Sequence, residues 1–351
     1  MTLQDKYAPA HHVLTIAQDW LAQGRRLALA TVIQTWGSAP RPVGSPLLID
    51  QAGNFEGSVS GGCVEGAVII EALETIETSK ATLLEFGVDN ETAWQVGLTC
   101  GGKISIRVEP VFETNLPQII EDLNTARAQR KPAILLTNLE ENTHTLVSSP
   151  ESVTSPLLQK EITQRFHSGK SGLVSIKDGQ SVFLTVQIPS PRLIVVGAVH
   201  IAQALVPMAQ STGFDVSVID PRSAFATKER FPQVALYDQW PQDVLEEIKL
   251  DPYTAVALLT HDPKIDDTPL MEALNTGCFY VGALGSKKTH ASRRERLAKA
   301  GIPEPLIDRI SAPIGLNIGA ATPAEIAVSI LSQIIAFLRN PQPHVFQGDQ
   351  T

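Results

Sequence analysis

Two hydrophobic patterns divide this chain, and the change falls near residue 190. Before it, helical and strand-like runs follow one another without regular alternation. Val13 to Ala22 spaces its apolar positions along one helical face and ends near Gly24, while Leu27 to Thr35 is a continuous apolar, β-branched run that predicts a buried strand. Leu47 to Asp50 and Phe55 to Val59 flank Gln51-Ala52-Gly53-Asn54, the pattern of a hairpin. From Val64, apolar residues recur at Val68, Ile69, Ala72, Leu73 and Ile76, a helical period running to about Lys80. Ile104 to Val108 predicts a strand. Residues 113 to 188 predict a helix, two strands (Ala133 to Thr137 and Ser181 to Gln187) and a polar excursion.

After the linker Pro189-Ser190-Pro191, short apolar strands alternate with helical stretches. Strands are expected at Leu193 to Val196, Asp215 to Ile219, Ala255 to Leu259, Phe279 to Val281 and Arg309 to Ser311. Helices are expected at His200 to Ser211, Thr268 to Asn275, Ser292 to Ala300 and Ala324 to Leu338. Such alternation implies a parallel sheet covered on both faces. The fold class is therefore α/β: a C-terminal Rossmann-type doubly wound parallel sheet (residues 192–340) behind an N-terminal mixed α+β domain (residues 1–188).

A length of 351 residues supports two domains, and a net charge of −9 argues against a general nucleic-acid grip, which needs excess Lys and Arg. Three cysteines do not make a disulfide framework, which fits a reducing compartment. The first residues carry no signal-peptide pattern. The longest apolar candidate, Ile326 to Leu338, is too short to span a bilayer and is interrupted by Ser329, Ser332 and Gln333. A cytoplasmic protein is expected.

Candidate chemistry concentrates at Ser60-Gly61-Gly62-Cys63-Val64-Glu65-Gly66, which places Cys63 in the first turn of the helix that follows. Gly61 and Gly62 allow a sharp turn and let a ligand approach the backbone. Unpaired amides at a helix start favour a thiolate over a thiol, and Glu65 is near enough to shuttle a proton or orient a ligand. Cys100 sits in a similar setting, Thr99-Cys100-Gly101-Gly102. Against this stands the fact that most lone cysteines are small buried hydrophobes, the expectation for Cys278 at the start of an apolar strand.

The second half carries an altered dinucleotide fingerprint, Val195-Val196-Gly197-Ala198-Val199-His200-Ile201-Ala202. Gly197 supplies the tight turn and Ala202 stands in for the third glycine, but Val199 replaces the glycine that admits a pyrophosphate. Asp220, 23 positions after Gly197, fits an acid for a ribose hydroxyl, and Arg222 fits a phosphate. His200 stands at the mouth of the turn, placed to bond a phosphate or to cap the helix. His261 and Asp262 close the strand that ends near Leu259, where ligands of such sheets bind. Gly282-Ala283-Leu284-Gly285-Ser286-Lys287-Lys288 follows another strand, and Gly285, Ser286 and Lys287 suit an anionic group. Arg293, Arg294 and Arg296 continue the basic run, a pattern equally expected of a solvated helix face. Thr322, Pro323 and Glu325 form a capping-box pattern before the last helix. Walker loops, the Gly-x-Ser-x-Gly elbow and zinc-type His/Cys spacing are missing from the sequence.

Together, Gly37-Ser38-Ala39-Pro40-Arg41 with Gly44, Gly61-Gly62-Cys63-Val64-Glu65, Cys100-Gly101-Gly102, Asp220-Pro221-Arg222, Thr260-His261-Asp262 and Gly315 to Glu325 carry a resemblance over nearly the whole length. The chain resembles the xanthine dehydrogenase accessory factors, the XdhC/CoxI-like maturation proteins of molybdenum hydroxylases. Val199 departs from that pattern, where similar proteins lead one to expect glycine. The resemblance implies a non-catalytic chaperone that binds molybdenum cofactor (molybdopterin or its dinucleotide form), supports its sulfuration by a cysteine desulfurase, and inserts it into an apo-xanthine dehydrogenase or a related molybdenum hydroxylase. On that expectation Cys63, with Cys100, meets the molybdenum or its sulfur, and Glu65 manages protons. Arg41, Gly61 and Gly62 line the site, and the second domain holds the tail through Gly197, His200, Ser286 and Lys287. A homodimer is expected. The competing expectation is an NAD(P)-dependent oxidoreductase that uses Asp220 for the adenosine ribose.

Overall fold

Helix α1 (Ala10–Ala22) and strand β1 (Leu27–Trp36) open the first of two units, Met1–Pro189 and Ser190–Thr351. The computed structural model describes residues 10–37, 39, 41–87, 102–176 and 181–340. The unbroken apolar run of β1 is explained by burial on both faces. Ala28, Ala30 and Val32 pack into one core, Leu27 and Leu29 into another. β2 (Pro46–Asp50) and β3 (Phe55–Gly57) form the expected antiparallel hairpin, with Leu47 opposite Gly57. Helix α2 (Glu65–Thr78) then lays Val68, Ala72 and Ile76 on the first of these cores, one face of a 3.6-residue period. β4 (Thr82–Phe86) and β5 (Lys103–Pro110) complete a five-stranded antiparallel sheet in the order β3-β2-β1-β5-β4.

Helix α3 (Leu116–Ala128) leads into a second antiparallel sheet made of β6 (Ala133–Asn138), β7 (Thr143–Val147), β8 (Gly172–Ser175) and β9 (Ser181–Gln187), ordered β7-β6-β9-β8. Helix α4 (Pro156–Ser168) starts at Ser155, whose hydroxyl accepts from Leu158 N. It buries Leu158, Ile162 and Phe166 against this sheet. The polar excursion expected here thus contains β7, α4 and β8. Their apolar positions are sparse enough to be lost among Gln, Lys, Ser and Thr. One core joins the two sheets: Val13 and Ala17 of α1 and Leu116, Ile120 and Leu123 of α3 pack with Leu27, Leu48, Ala133 and Leu135.

The second unit is a six-stranded parallel sheet of β10 (Arg192–Val196), β11 (Asp215–Ile219), β12 (Ala235–Tyr237), β13 (Thr254–Leu258), β14 (Tyr280–Ala283) and β15 (Ile310–Ser311). Its order, β12-β11-β10-β13-β14-β15, is the Rossmann order. Side chains alternate between two cores: Leu193 and Val195 face α5 (His200–Ser211) and α10 (Pro323–Arg339), while Ile194 and Val196 face α6 (Pro241–Ile248) and α7 (Pro263–Thr276). Helix α8 (Lys287–Lys299) and the short α9 (Glu304–Ile307) follow β14. The capping box of α10 forms as its sequence predicts, with Thr322 Oγ1 accepting from Glu325 N and Glu325 accepting from Thr322 N. β12 and α6 escape the periodicity argument because each is short. No described helix is long and apolar enough to cross a membrane.

Candidate functional site

In the first unit the glycine-cysteine segment is a loop wound around one carboxylate. Glu65 Oε1 accepts from Ser58 Oγ (2.6 Å), Ser60 N (2.9 Å) and Val59 N (3.2 Å). Its Oε2 accepts from Ser60 Oγ (2.5 Å) and Gly62 N (2.8 Å). Glu65 is only 8% exposed. Burial alone would raise its pKa, but the hydrogen bonds from Ser58 and Ser60 win and hold the carboxyl at about 2. This differs from the expected proton-handling role: Glu65 is a fixed anion whose lone pairs serve the loop. The amides of Gly61 and Gly62, expected to greet a ligand, are likewise engaged, by Ser58 Oγ (2.9 Å) and by Glu65. Gly61 (φ +77°) and Gly62 (φ +116°) supply the backbone conformation the winding needs.

Cys63 lies two residues before α2 and not within its first turn, because Val64 is the N-cap. Its side chain is half-buried against the core formed by Val59, Val64 and Val68. Arg41 reaches the same loop, donating from Nε to Ser58 O (3.1 Å), and its two terminal amino groups find no partner among the described residues. The structure therefore brings Cys63, Glu65, Gly61, Gly62 and Arg41 together. Cys100 lies outside the described residues. Cys278 is fully buried among Ile194, Val256 and Leu274, and burial pushes its thiol up to about 12. No group of three or more His, Cys, Asp or Glu side chains able to hold a bare metal ion occurs among the described residues.

In the second unit Gly197 (φ +111°) makes the turn after β10. A Cβ there would stand 2.7 Å from Thr260 Cγ2, so the chain crossing requires glycine. Asp220 is closed to solvent and accepts four bonds. Ala198 N (2.8 Å) and Arg222 Nη2 (2.7 Å) meet Oδ2, and Arg222 N (3.0 Å) and Nε (2.8 Å) meet Oδ1. A carboxylate offers about four lone-pair sites, and all are taken. Burial would raise the carboxyl, but the bonds from Arg222 hold it below the usual range. The ribose-binding geometry expected of Asp220 is thus replaced by a clamp on the glycine turn. Arg222, expected to meet a phosphate, forms the other half of the clamp and lies over the Phe225 ring at 4.3 Å. His200 is exposed at the first position of α5, and the cap position belongs to Val199 in extended backbone.

Asp262 and Ser286 act as helix caps: Asp262 Oδ1 accepts from Lys264 N (3.0 Å), and Ser286 Oγ accepts from Thr289 N (3.2 Å). Gly285 (φ +138°) precedes that second cap, and Lys287 is exposed beside it. His261 is exposed and holds φ +117°, a conformation that non-glycine residues rarely adopt. Sequence reasoning missed Ser58 and Ser60, the hydroxyls that fill the Glu65 carboxylate. It also missed Asp266 and the burial of Arg293. Within the basic run of α8, Arg294 pairs with Asp308 (2.5 Å) and Glu304 (3.2 Å), and Arg296 pairs with Asp267 (2.7 Å). Arg293, by contrast, is 2% exposed, so the solvated-face expectation fails for it.

Comparison with known proteins bears on both units. Residues 193–334 match the family model described as the XdhC Rossmann domain, and residues 20–87 match the XdhC and CoxI family. The chain belongs to the XdhC and CoxI family. This XdhC-family chain is 28% identical over 342 residues to a probable xanthine dehydrogenase subunit of Bacillus subtilis (strain 168), covering 92% of the chain and 96% of that protein. It is 27% identical over 324 residues to "Molybdenum cofactor insertion chaperone PaoD" of Escherichia coli (strain K12), covering 92% and 86%. Among solved structures, one described as a xanthine dehydrogenase from Bacillus halodurans matches with a TM-score of 0.64 and 26% identity, over 93% of this chain and 95% of that one. The XdhC-family match covers the parallel sheet of the second unit and, in the first, the segment that contains the glycine-cysteine loop.

Proposed function

We propose that this chain is a molybdenum cofactor-binding chaperone that supports sulfuration of the cofactor and its insertion into a xanthine dehydrogenase-type molybdenum hydroxylase. The observation that carries this proposal is the setting of Cys63: a half-buried thiol on a loop immobilised by five hydrogen bonds to Glu65, a loop that Arg41 also reaches through its Nε bond to Ser58 O. A bare metal ion needs several protein donors in one place. A cargo that brings its own sulfur ligands needs only one soft ligand from the protein, and a thiolate supplies it. Arg41 supplies a cation for an anionic edge of the cargo. The insertion role stated in the name of the Escherichia coli relative agrees with this chemistry.

The finer parts of the proposal are these. A cysteine desulfurase supplies the sulfur, an apo-hydroxylase receives the cofactor, and the chaperone works as a homodimer in the cytoplasm. The saturated Asp220 carboxylate weighs against the NAD(P) alternative, since it has no acceptor site left for a ribose hydroxyl. The test is to express the protein where the cofactor is made, purify it anaerobically, and assay molybdenum and pterin together. Both should co-purify with the wild-type chain and fall at least about tenfold in Cys63→Ala, the loss of one soft ligand contact worth about 1.4 kcal/mol or more. Equal loading of the variant would refute the role of Cys63, and no loading of either protein would refute the carrier proposal.

A further inference from the structure

Arg293 is the most unusual charged group in the second unit. It is 2% exposed, and its Nη2 donates to Leu284 O (3.0 Å), yet Nε and Nη1 have no partner among the described residues. Buried donors are nearly always satisfied, and a buried guanidinium is costly unless paired and hydrogen-bonded. Beside it lies a cavity of about 280 Å³ between the start of α7 and the first turns of α8. Water occupies about 30 Å³ per molecule in the liquid, so this space exceeds a single bridging water several-fold.

The lining has the chemistry of an oxyanion site. Lys288, Ser292 and Arg296 follow one another at i, i+4 spacing along α8, with Thr289 and Arg293 on the adjoining row. Three cations therefore line the cavity against one carboxyl group, that of Asp266. Asp266 is already engaged, accepting from Thr260 Oγ1 (2.5 Å) and from the His261 amide (3.3 Å). Arg296 is neutralised by two bonds to Asp267, whereas Lys288 is exposed and has no ion-pair partner among the described residues. The opposite wall is His261, the residue held at φ +117°. Costly backbone of this kind persists where the surrounding structure enforces it, and such residues cluster at ligand sites. The cavity opens at the carboxyl ends of β13 and β14, the edge of the sheet where ligands of this fold bind.

We infer that this cavity is a binding site for a phosphoryl group, held by Lys288 and Ser292 of α8 with the buried positive charge of Arg293 in the same wall. The inference rests on the carrier proposal only for which phosphate is bound in the cell, the anionic tail of the cargo. It shifts the expected grip from Gly197, His200, Ser286 and Lys287 to Lys288, Ser292 and Arg293 of α8.

The test is calorimetric titration of the full chain with inorganic phosphate and, separately, with cytidine 5′-monophosphate, at an ionic strength fixed with potassium chloride. Saturable binding is expected. It should weaken about tenfold in Lys288→Ala and again in Ser292→Ala, each removing a contact to a charged group. Both side chains are exposed, so these variants keep the fold. Arg293→Lys keeps the charge but loses the fork and should bind more weakly than wild type. Tighter binding of the nucleotide points to an esterified phosphate, tighter binding of the inorganic ion to free phosphate, and either supports the site. Absence of saturable heat with both probes, or unchanged affinity in the Lys288→Ala/Ser292→Ala double variant, would overturn it. Cys63→Ala should leave these titrations unchanged. A failure of cargo loading is thereby separated from a failure of the phosphoryl site.

Discussion

Replacing Glu65 by glutamine tests whether one carboxylate builds the cysteine loop. Five donors converge on its two oxygens, and a carboxamide can accept at only one of them. Whichever way the amide turns, its NH2 faces at least two N–H or O–H groups. The folded carboxyl sits at about 2 against an ordinary value of 4.5, which corresponds to about 3 kcal/mol of preference for the ionised, bonded state. Because the folded value is depressed, this stabilisation is complete above about pH 4.5 and is lost as pH falls toward 2. Hydrogen exchange of the amides of residues 59–64, followed by mass spectrometry, reads the effect directly. Protection of this segment should drop about a hundredfold in Glu65→Gln at pH 7, matching a loss of about 3 kcal/mol. In the wild type the same segment should lose protection between pH 4.5 and 2, and the variant should lack that dependence. Wild-type protection of residues 59–64 in Glu65→Gln would refute the assignment of this carboxylate as the organiser of the loop.

Two further perturbations probe the second unit. Gly197→Val places a branched side chain at φ +111° and against Thr260 and the Leu259 backbone, and it should lower the stability of this unit by about 2 kcal/mol or more, seen as an earlier thermal transition. A transition unchanged from wild type would show that the turn relaxes freely. Asp266, 1% exposed, is pushed up to about 6 by burial. Its folded value lies above its ordinary 3.8, so its own contribution to stability is greatest below about pH 4 and declines as pH rises to about 6. Asp266→Asn should flatten that decline in urea titrations between pH 4 and 7, and an identical decline in the variant would assign it to another group.

The Rossmann half was legible because its strands carry unbroken apolar runs and its turns carry glycine and proline at the expected places. Leu193 to Val196, Asp215 to Ile219 and the capping box at Thr322 all appear where periodicity and capping chemistry put them. In the first unit α4 and β7 were hidden because each buries only every third to fourth or every other residue and exposes the rest as Gln, Lys, Glu or Thr. The site was legible as residue types and less so as roles. Glu65 and Asp220 stand at the positions the motifs indicate, but whether a carboxylate faces a ligand or its own backbone depends on hydroxyls and guanidinium groups brought close only by folding. The burial of Arg293 was equally invisible, since the basic run Arg293, Arg294 and Arg296 carries no mark of which member turns inward.

The shared core beneath the two sheets of the first unit limits how this protein can be dissected. Residues 20–87, which match the XdhC and CoxI family, contain β1 to β4 and α2 but neither Val13 and Ala17 nor any part of α3 and β5. Cut out alone, that segment would expose Leu27, Leu29 and Leu48, and β1 would lose its hydrogen-bonded neighbour along one whole edge. A fragment trimmed to those bounds should therefore self-associate, and by the same reasoning an excision that displays Cys63 in its native loop must reach from α1 through β9, which pairs with β6.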